Sequence, residues 1–476
     1  MNWSRTPAAT ARSRTPRQRT EVIVAALVFA AFCAVVLSRT AQMLEPDDYA
    51  YRASIVALTH GHLVLTTAQY NALSAQLAAT GGQGIAQWTR LASGLWISEK
   101  NPGYPFFAVV FYLLGILRIT PLFYGALACV GLFAGARRWL GRWGGVWAVV
   151  LYCTSGAALV FAWRPTMPSF SDASLIAAGA GCLLWTMLAR DATARRRLVV
   201  GLLGILAVEG AVFMRYTNVV ELAVAVVAVV ALHRLAAVPR RTLLVWLASV
   251  TLFSAGLLTF NRLVYGSAFS TGYSSGEITF AFSAIAPNLK TMPAQLLRAM
   301  PMVVLGLAAA VWIGARLLSG LRRARPAAPG AYPAVGGAQV APASTNPAVP
   351  EARSAARRDA LIAAALLAGW LGLWALYAAY TWTEQMGGGG TGQTVHVVRF
   401  YLPAIGLIAL LGAWLLARLP RRLPPVVLVA LAVLGVLSFQ SMATQSVGGG
   451  GGQPGGFAAP GGSGLPQAPG GGQPPS

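Results

Sequence analysis

Acidic residues are scarce in this chain: 13 Asp and Glu stand against 36 Lys and Arg in 476 residues, and all charged residues together make up 10%. So little charge, beside 56% hydrophobic residues and a mean hydropathy of +0.61, excludes an ordinary water-soluble domain. Cysteine is equally sparse. Cys33, Cys129, Cys153 and Cys182 all fall inside apolar runs rather than loops, which argues against a disulfide framework and for packing roles. The net charge of +23 does not point to nucleic acid, because Lys and Arg cluster in short segments between apolar runs, as in cytoplasmic loops.

What is present is a succession of apolar runs, and these predict an all-α polytopic membrane protein with about eleven transmembrane helices. The expected spans are Val22–Ser38, Pro121–Ala136, Gly144–Trp163, Ala173–Ala189, Leu198–Phe213 and Val219–His233, followed by Thr242–Phe260, Met302–Leu318, Ala360–Tyr380, Phe400–Ala417 and Pro425–Phe439. The first run follows a basic segment (Arg5, Arg12, Arg14, Arg17, Arg19) and lacks a small-x-small cleavage site, so it reads as a retained anchor. A further apolar run, Tyr104–Ile119, decides the topology. If it lies along the surface rather than crossing, the basic loops Arg137–Arg142, Arg195–Arg197, Arg234–Arg241, Arg316–Arg325 and Arg418–Arg422 all become cytoplasmic.

That assignment puts the N-terminus inside and the C-terminus outside. It divides the chain into a basic cytoplasmic tail (1–20), a transmembrane catalytic module (21–320) with external loops 39–105, 163–172 and 261–301, a disordered cytoplasmic linker (321–359), C-terminal helices (360–440) and a Gly/Pro-rich external tail (441–476). Gly387–Gly390 forms a second Gly-rich element, in an outer loop.

Against this background the segment Glu45-Pro46-Asp47-Asp48-Tyr49 stands out, with three rare acids just beyond the first span. Asp47 and Asp48 open a helical pattern continued by Tyr51, Ile55 and Leu58, so capping of that helix is one reading. The other is a catalytic carboxylate acting as general base, with the second carboxylate positioning the acceptor or a metal. Glu99-Lys100-Asn101-Pro102 precedes the surface-lying run; Lys100 either snorkels to the interface or meets a lipid phosphate. Arg164 and Asp172 flank a short, proline-rich outer turn, where Asp172 either caps or positions. His396, Arg399 and Tyr401 stand where a late helix enters from outside, and an arginine there is anchored at the interface or bound to an anion. Glu209 and Glu221 fall within spans, and Arg215 is the expected partner of Glu221.

In combination and order these elements resemble the glycosyltransferase C superfamily, in particular bacterial relatives of protein O-mannosyltransferases and lipid A aminoarabinose transferases (glycosyltransferase families 39 and 83). Asp47-Asp48-Tyr49 leading through Ala53 to Gly61 is similar to the family's acidic pair, usually Asp-Glu, and its amphipathic helix. Glu99-Lys100-Asn101-Pro102 is similar to its Lys-Pro-Pro element, Arg164–Asp172 to its second outer loop, and Arg399-Phe400-Tyr401-Leu402-Pro403 to its Arg-Tyr-Leu-Leu-Pro element. Departures are Asp48 in place of Glu and the Ala-, Gln- and Gly-rich stretch Thr66–Ser93.

The resemblance implies a membrane enzyme of GT-C type, with interfacial helices in its first external loop, moving a hexosyl or pentosyl group from a polyprenyl-phosphate donor with inversion. The acceptor, on the outer face, would be a glycan, glycolipid or protein. It implies Asp47 as base, Asp48 and Asp172 as its catalytic companions, and Lys100, Arg399 and Arg164 as holders of the donor phosphate. Glu99, Arg215, Glu221, Tyr49 and Tyr401 would support them. Dependence on a divalent metal ion stays open, with Asp48, Glu99 and His396 as candidate ligands. Competing readings are a transporter or flippase of lipid-linked sugars, which would place charge at the bilayer midplane, and a non-catalytic scaffold.

Overall fold

The computed structural model describes residues 16–41, 43, 45–80, 84–273, 279–323, 348–383 and 394–448. Most of the expected linker, the glycines at 387–390 and the tail from 449 lie outside the described residues. The described chain is helical almost throughout. Its helices are α1 (Pro16–Leu37), α2 (Pro46–Thr59), α3 (Thr67–Ala79), α4 (Gly103–Leu113), α5 (Thr120–Leu140), α6 (Gly144–Cys153), α7 (Gly156–Ala162), α8 (Ser169–Leu188) and α9 (Ala194–Met214). They continue with α10 (Val219–Leu232), α11 (Arg240–Tyr265), α12 (Ile285–Ala299), α13 (Val303–Arg323), α14 (Ala348–Ala378), α15 (Thr394–Tyr401), α16 (Ile405–Leu416) and α17 (Leu423–Gly448).

Among the described residues, 8 helical segments are long and apolar enough to cross a membrane, or up to 10 if each of two bent pairs is one span. The protein is polytopic, and the difference from eleven expected spans has a local cause. The run Val219–His233 yields only the 14-residue helix α10, extended at its start by a 3-10 turn at Tyr216–Asn218. The run Gly144–Trp163, expected as one helix, breaks into α6 and α7 with a 62° bend. The break sits where α17 crosses: a Cβ on Gly435 would collide with the carbonyl oxygen of Thr154, so backbone meets backbone there. Helix α4 has 11 residues, about 16 Å of rise, too short to traverse roughly 30 Å of hydrocarbon.

Side chains such as Leu252, Val227 and Val426 are exposed on the helix faces, as expected where the surrounding solvent is lipid. With lipid tails as apolar as leucine, helices associate through close packing, and small residues permit it. Gly131 and Gly135 of α5 lie one turn apart against Ala178 and Gly181 of α8; a Cβ on Gly181 would run into the Gly131 backbone. Gly181→Val is therefore expected to destabilise the bundle by about 1–3 kcal/mol or more. Gly256→Ala, where nothing lies within 4 Å, should not. Thermal unfolding of the two variants in one detergent checks this.

The segment between α1 and α4 builds a small cap. Helices α2 and α3 and a short antiparallel hairpin, β1 (Trp88–Arg90) with β2 (Trp96–Ser98), enclose their own apolar cluster of Ala53, Val56, Leu65, Leu73, Leu77 and Trp88. The chain leaves β2 through Glu99 and Lys100 straight into α4. Tyr104 on α4 donates to the carbonyl of Pro165, tying the cap to the proline-rich turn between α7 and α8.

Candidate active site

At the seam between cap and bundle, acids from the start of α2 meet cations from three distant parts of the chain. Arg164, in the α7–α8 turn, is 1% exposed and spreads its guanidinium between Glu45, at 2.7 Å, and Asp48. Asp48 also accepts from the Thr166 hydroxyl at 2.6 Å and from the backbone N–H of Glu45 at 3.1 Å. It therefore caps α2 and holds the turn at once. Arg399, on α15, pairs with Glu45 and lies 3.0 Å from Asp47. Lys100 reaches Asp47 at 2.9 Å and donates to the Tyr273 hydroxyl at 3.2 Å, with its Nζ 4.8 Å from that ring's centre.

The carboxylates differ in access. Side-chain exposure is 0% for Asp48 and 5% for Glu45 but 16% for Asp47, so Asp47 is the one a substrate can approach. Burial alone would raise its pKa; Arg399 and then Lys100 outweigh that and hold the carboxyl at about 2. Arg164, desolvated yet embraced by Asp48 and Glu45, has its pKa raised further, so it stays charged. The Arg399 guanidinium lies between aromatic walls, 4.8 Å from the Phe400 ring centre and 5.2 Å from that of Trp382. Its Nε is buried with no hydrogen-bond partner among the described residues, a donor left over for an anion.

Because the folded-state pKa of Asp47 is depressed from 3.8 to about 2, its pairing stabilises the fold fully above pH 4 and is lost as pH falls toward 2. Wild-type protein should thus lose stability over that window more steeply than Asp47→Asn, as read from unfolding midpoints across pH.

A second pair adjoins the first. Asp172, fully buried in the first turn of α8, lies 3.0 Å from Arg215 and accepts from Asn218 at 3.2 Å and from its neighbour's N–H at 2.8 Å. Arg215 also donates to the carbonyl of Arg399 at 3.0 Å and to Ser169 at 2.9 Å, so the two pairs share a frame.

The structure thus gathers Asp47, Asp48, Lys100, Arg164 and Arg399, with Asp172 and Arg215 alongside. It corrects the expected partnership of Glu221 with Arg215. Arg215 follows α9 in an extended conformation (φ −153°) that turns its side chain to Asp172, whereas Glu221 faces Gly369 of α14. Tyr401 packs among aromatics, its ring 5.7 Å from Trp374 and 5.8 Å from Tyr377. Tyr49 and Glu99 are half-buried at the margin. Of the candidate metal ligands, Asp48 already spends its oxygens on Arg164, Thr166 and a backbone N–H, and the side chain of His396 lies outside the described ones. Among the described residues no group of three His, Cys, Asp or Glu could hold a metal ion.

Glu45, Thr166, Asn218 and Tyr273 have no role that the sequence alone would assign. Glu45 carries a signal, as the third acid of its cluster. Tyr273 carries none, since nothing local relates it to Lys100.

No family model matches the chain, and neither does any curated protein. Several solved structures are similar. ArnT from Cupriavidus metallidurans in the apo state shares 16% identity at a TM-score of 0.46, the match covering 85% of this chain and 60% of that one. The same protein bound to undecaprenyl phosphate gives 15% and 0.44, covering 92% and 75%. The archaeal oligosaccharyltransferase AglB from Archaeoglobus fulgidus, in complex with an inhibitory peptide and a dolichol-phosphate, gives 13% and 0.47, covering 91% and 56%. This chain therefore spans less than two thirds of apo ArnT and of AglB, and likenesses at these values carry no argument about the reaction.

Proposed function

We propose that this protein is a membrane glycosyltransferase of GT-C type, taking a sugar from a polyprenyl-phosphate donor and passing it to an acceptor on the extracytoplasmic face. One observation carries the reading: Asp47, the accessible carboxylate of a buried charge cluster, is flanked at about 3 Å by both Lys100 and Arg399. Base and phosphate-binding cations therefore occupy one site, beside the short apolar helix α4.

The chemistry follows from that adjacency. Asp47 takes the proton of the acceptor nucleophile, whose electron pair attacks the anomeric carbon from the face opposite the phosphate. The bond from that carbon to the phosphate oxygen breaks, the configuration inverts, and the polyprenyl phosphate leaves with its growing charge on Lys100 and Arg399. The same cations explain how a carboxylate held near pKa 2 serves as a base. An incoming phosphate competes with Asp47 for them, and the released carboxylate becomes more basic. Arg164 and Asp48 keep the frame, while Asp172 and Arg215 border the acceptor side. No step in this scheme is routed through a metal ion.

Binding of undecaprenyl phosphate to protein in nanodiscs tests the reading. Lys100→Ala should weaken it by about tenfold or more, the worth of one charge-assisted contact. Unchanged affinity would remove Lys100 from the donor site.

A further inference from the structure

Away from the charge cluster, an apolar slot of about 90 Å³ runs between α8, α10 and α14, lined by Ile176, Leu183, Ala225, Leu232, Ile362 and Leu366. Among the described residues its one ionisable wall residue is Glu221, which is 5% exposed and whose Oε1 has no hydrogen-bond partner there. The carboxyl lies where α14 carries glycine: a Cβ on Gly369 would lie 2.6 Å from Glu221 Oε2, so a larger residue there would push the carboxyl from its place. Neither feature serves the cluster described above. Arg215, the nearest cation in sequence, is committed to Asp172.

A carboxyl with no partner in apolar surroundings is costly, and such a group inside a membrane protein marks a site more often than a packing accident. We infer that the slot between α8, α10 and α14 takes the head end of a single-chain amphiphile, whose hydrogen-bond-donating head, a hydroxyl or an amine, pairs with Glu221 while the rest of its chain stays in lipid. The head must supply the selectivity. An alkyl chain leaving the bilayer for an apolar slot exchanges one hydrocarbon setting for another and gains little, whereas meeting an unpartnered carboxyl satisfies a group that lipid tails cannot.

This inference stands apart from the proposed reaction, and its readout needs no turnover. Protein in nanodiscs is treated with dicyclohexylcarbodiimide, which modifies protonated carboxyls in apolar surroundings, and Glu221 modification is followed by peptide mass spectrometry, with Glu221→Gln as the blank. Dodecanol or dodecylamine should slow modification at least tenfold, and whichever protects better identifies a neutral or a cationic head. Dodecane and undecaprenyl phosphate should not protect. Protection should be lost in Gly369→Ala, which crowds the carboxyl, and, should that variant fail to fold, in Ala365→Leu, which fills the slot wall. Absence of modification, protection by neither amphiphile, or equal protection by dodecane would overturn the inference. Protection by undecaprenyl phosphate equal to that by the amphiphiles would overturn it too, by making the slot part of the donor site.

Discussion

Asp47→Asn is expected to lower turnover by about 10²–10⁴-fold, the range for losing a general base, while leaving the fold intact and the donor bound more tightly. The fold survives because each cation that Asp47 touches has another partner: Lys100 keeps Tyr273, and Arg399 keeps Glu45. Binding tightens because the amide no longer competes with the donor phosphate for Lys100 and Arg399. That combination separates a chemical role from a structural one. A residue that merely held the site together would, when replaced, weaken donor binding along with turnover. Undecaprenyl phosphate affinity and turnover measured on one preparation decide between them, and near-normal turnover would remove Asp47 from the mechanism.

Arg164→Met is expected to have the largest effect on stability, about 3–5 kcal/mol, because it strands acids that have no route to water. Asp48 is fully buried, and removing Arg164 takes away the guanidinium that pairs with it, while the Thr166 hydroxyl and the Glu45 N–H stay in place. Glu45 would still face Arg399 but lose its pair with Arg164. Adding Asp48→Asn to Arg164→Met should recover part of the loss, since the double variant no longer buries a carboxylate that has lost its guanidinium; the coupling is read from a double-mutant cycle of unfolding free energies. A loss below about 1 kcal/mol for Arg164→Met would mean that the network does not hold the cap to the bundle. Lysine should not substitute well, because a point charge cannot bridge two carboxylates as a planar fork does.

Asp47 and Arg164 stand out in the amino-acid sequence itself, for a physical reason. In a chain so poor in charge, each acid or base at the end of an apolar run is expensive, and that cost marks Asp47, Asp48, Lys100, Arg164, Asp172 and Arg399 individually. The helical, polytopic fold is legible from run length alone. Partnership is not. Arg215 and Glu221 are close in sequence and opposite in sign, yet a backbone turn after α9 and a glycine on α14 send them to different neighbours. At the bend between α6 and α7 the backbone meets Gly435 from far along the chain, and the contact of Lys100 with Tyr273 spans 173 residues. Such features are set by tertiary crossing points, which neither periodicity nor loop charge encodes.

One site is expected both to bind the carrier phosphate and to activate the acceptor. Release of free polyprenyl phosphate from a panel of polyprenyl-phosphate sugars, with cell-envelope extract as acceptor, tests it most directly on wild-type protein beside Asp47→Asn. Release from one donor by the wild type, lost in the variant although the carrier still binds, is the predicted result. Folded wild-type protein that releases no carrier from any donor, or equal release by the variant, would contradict it.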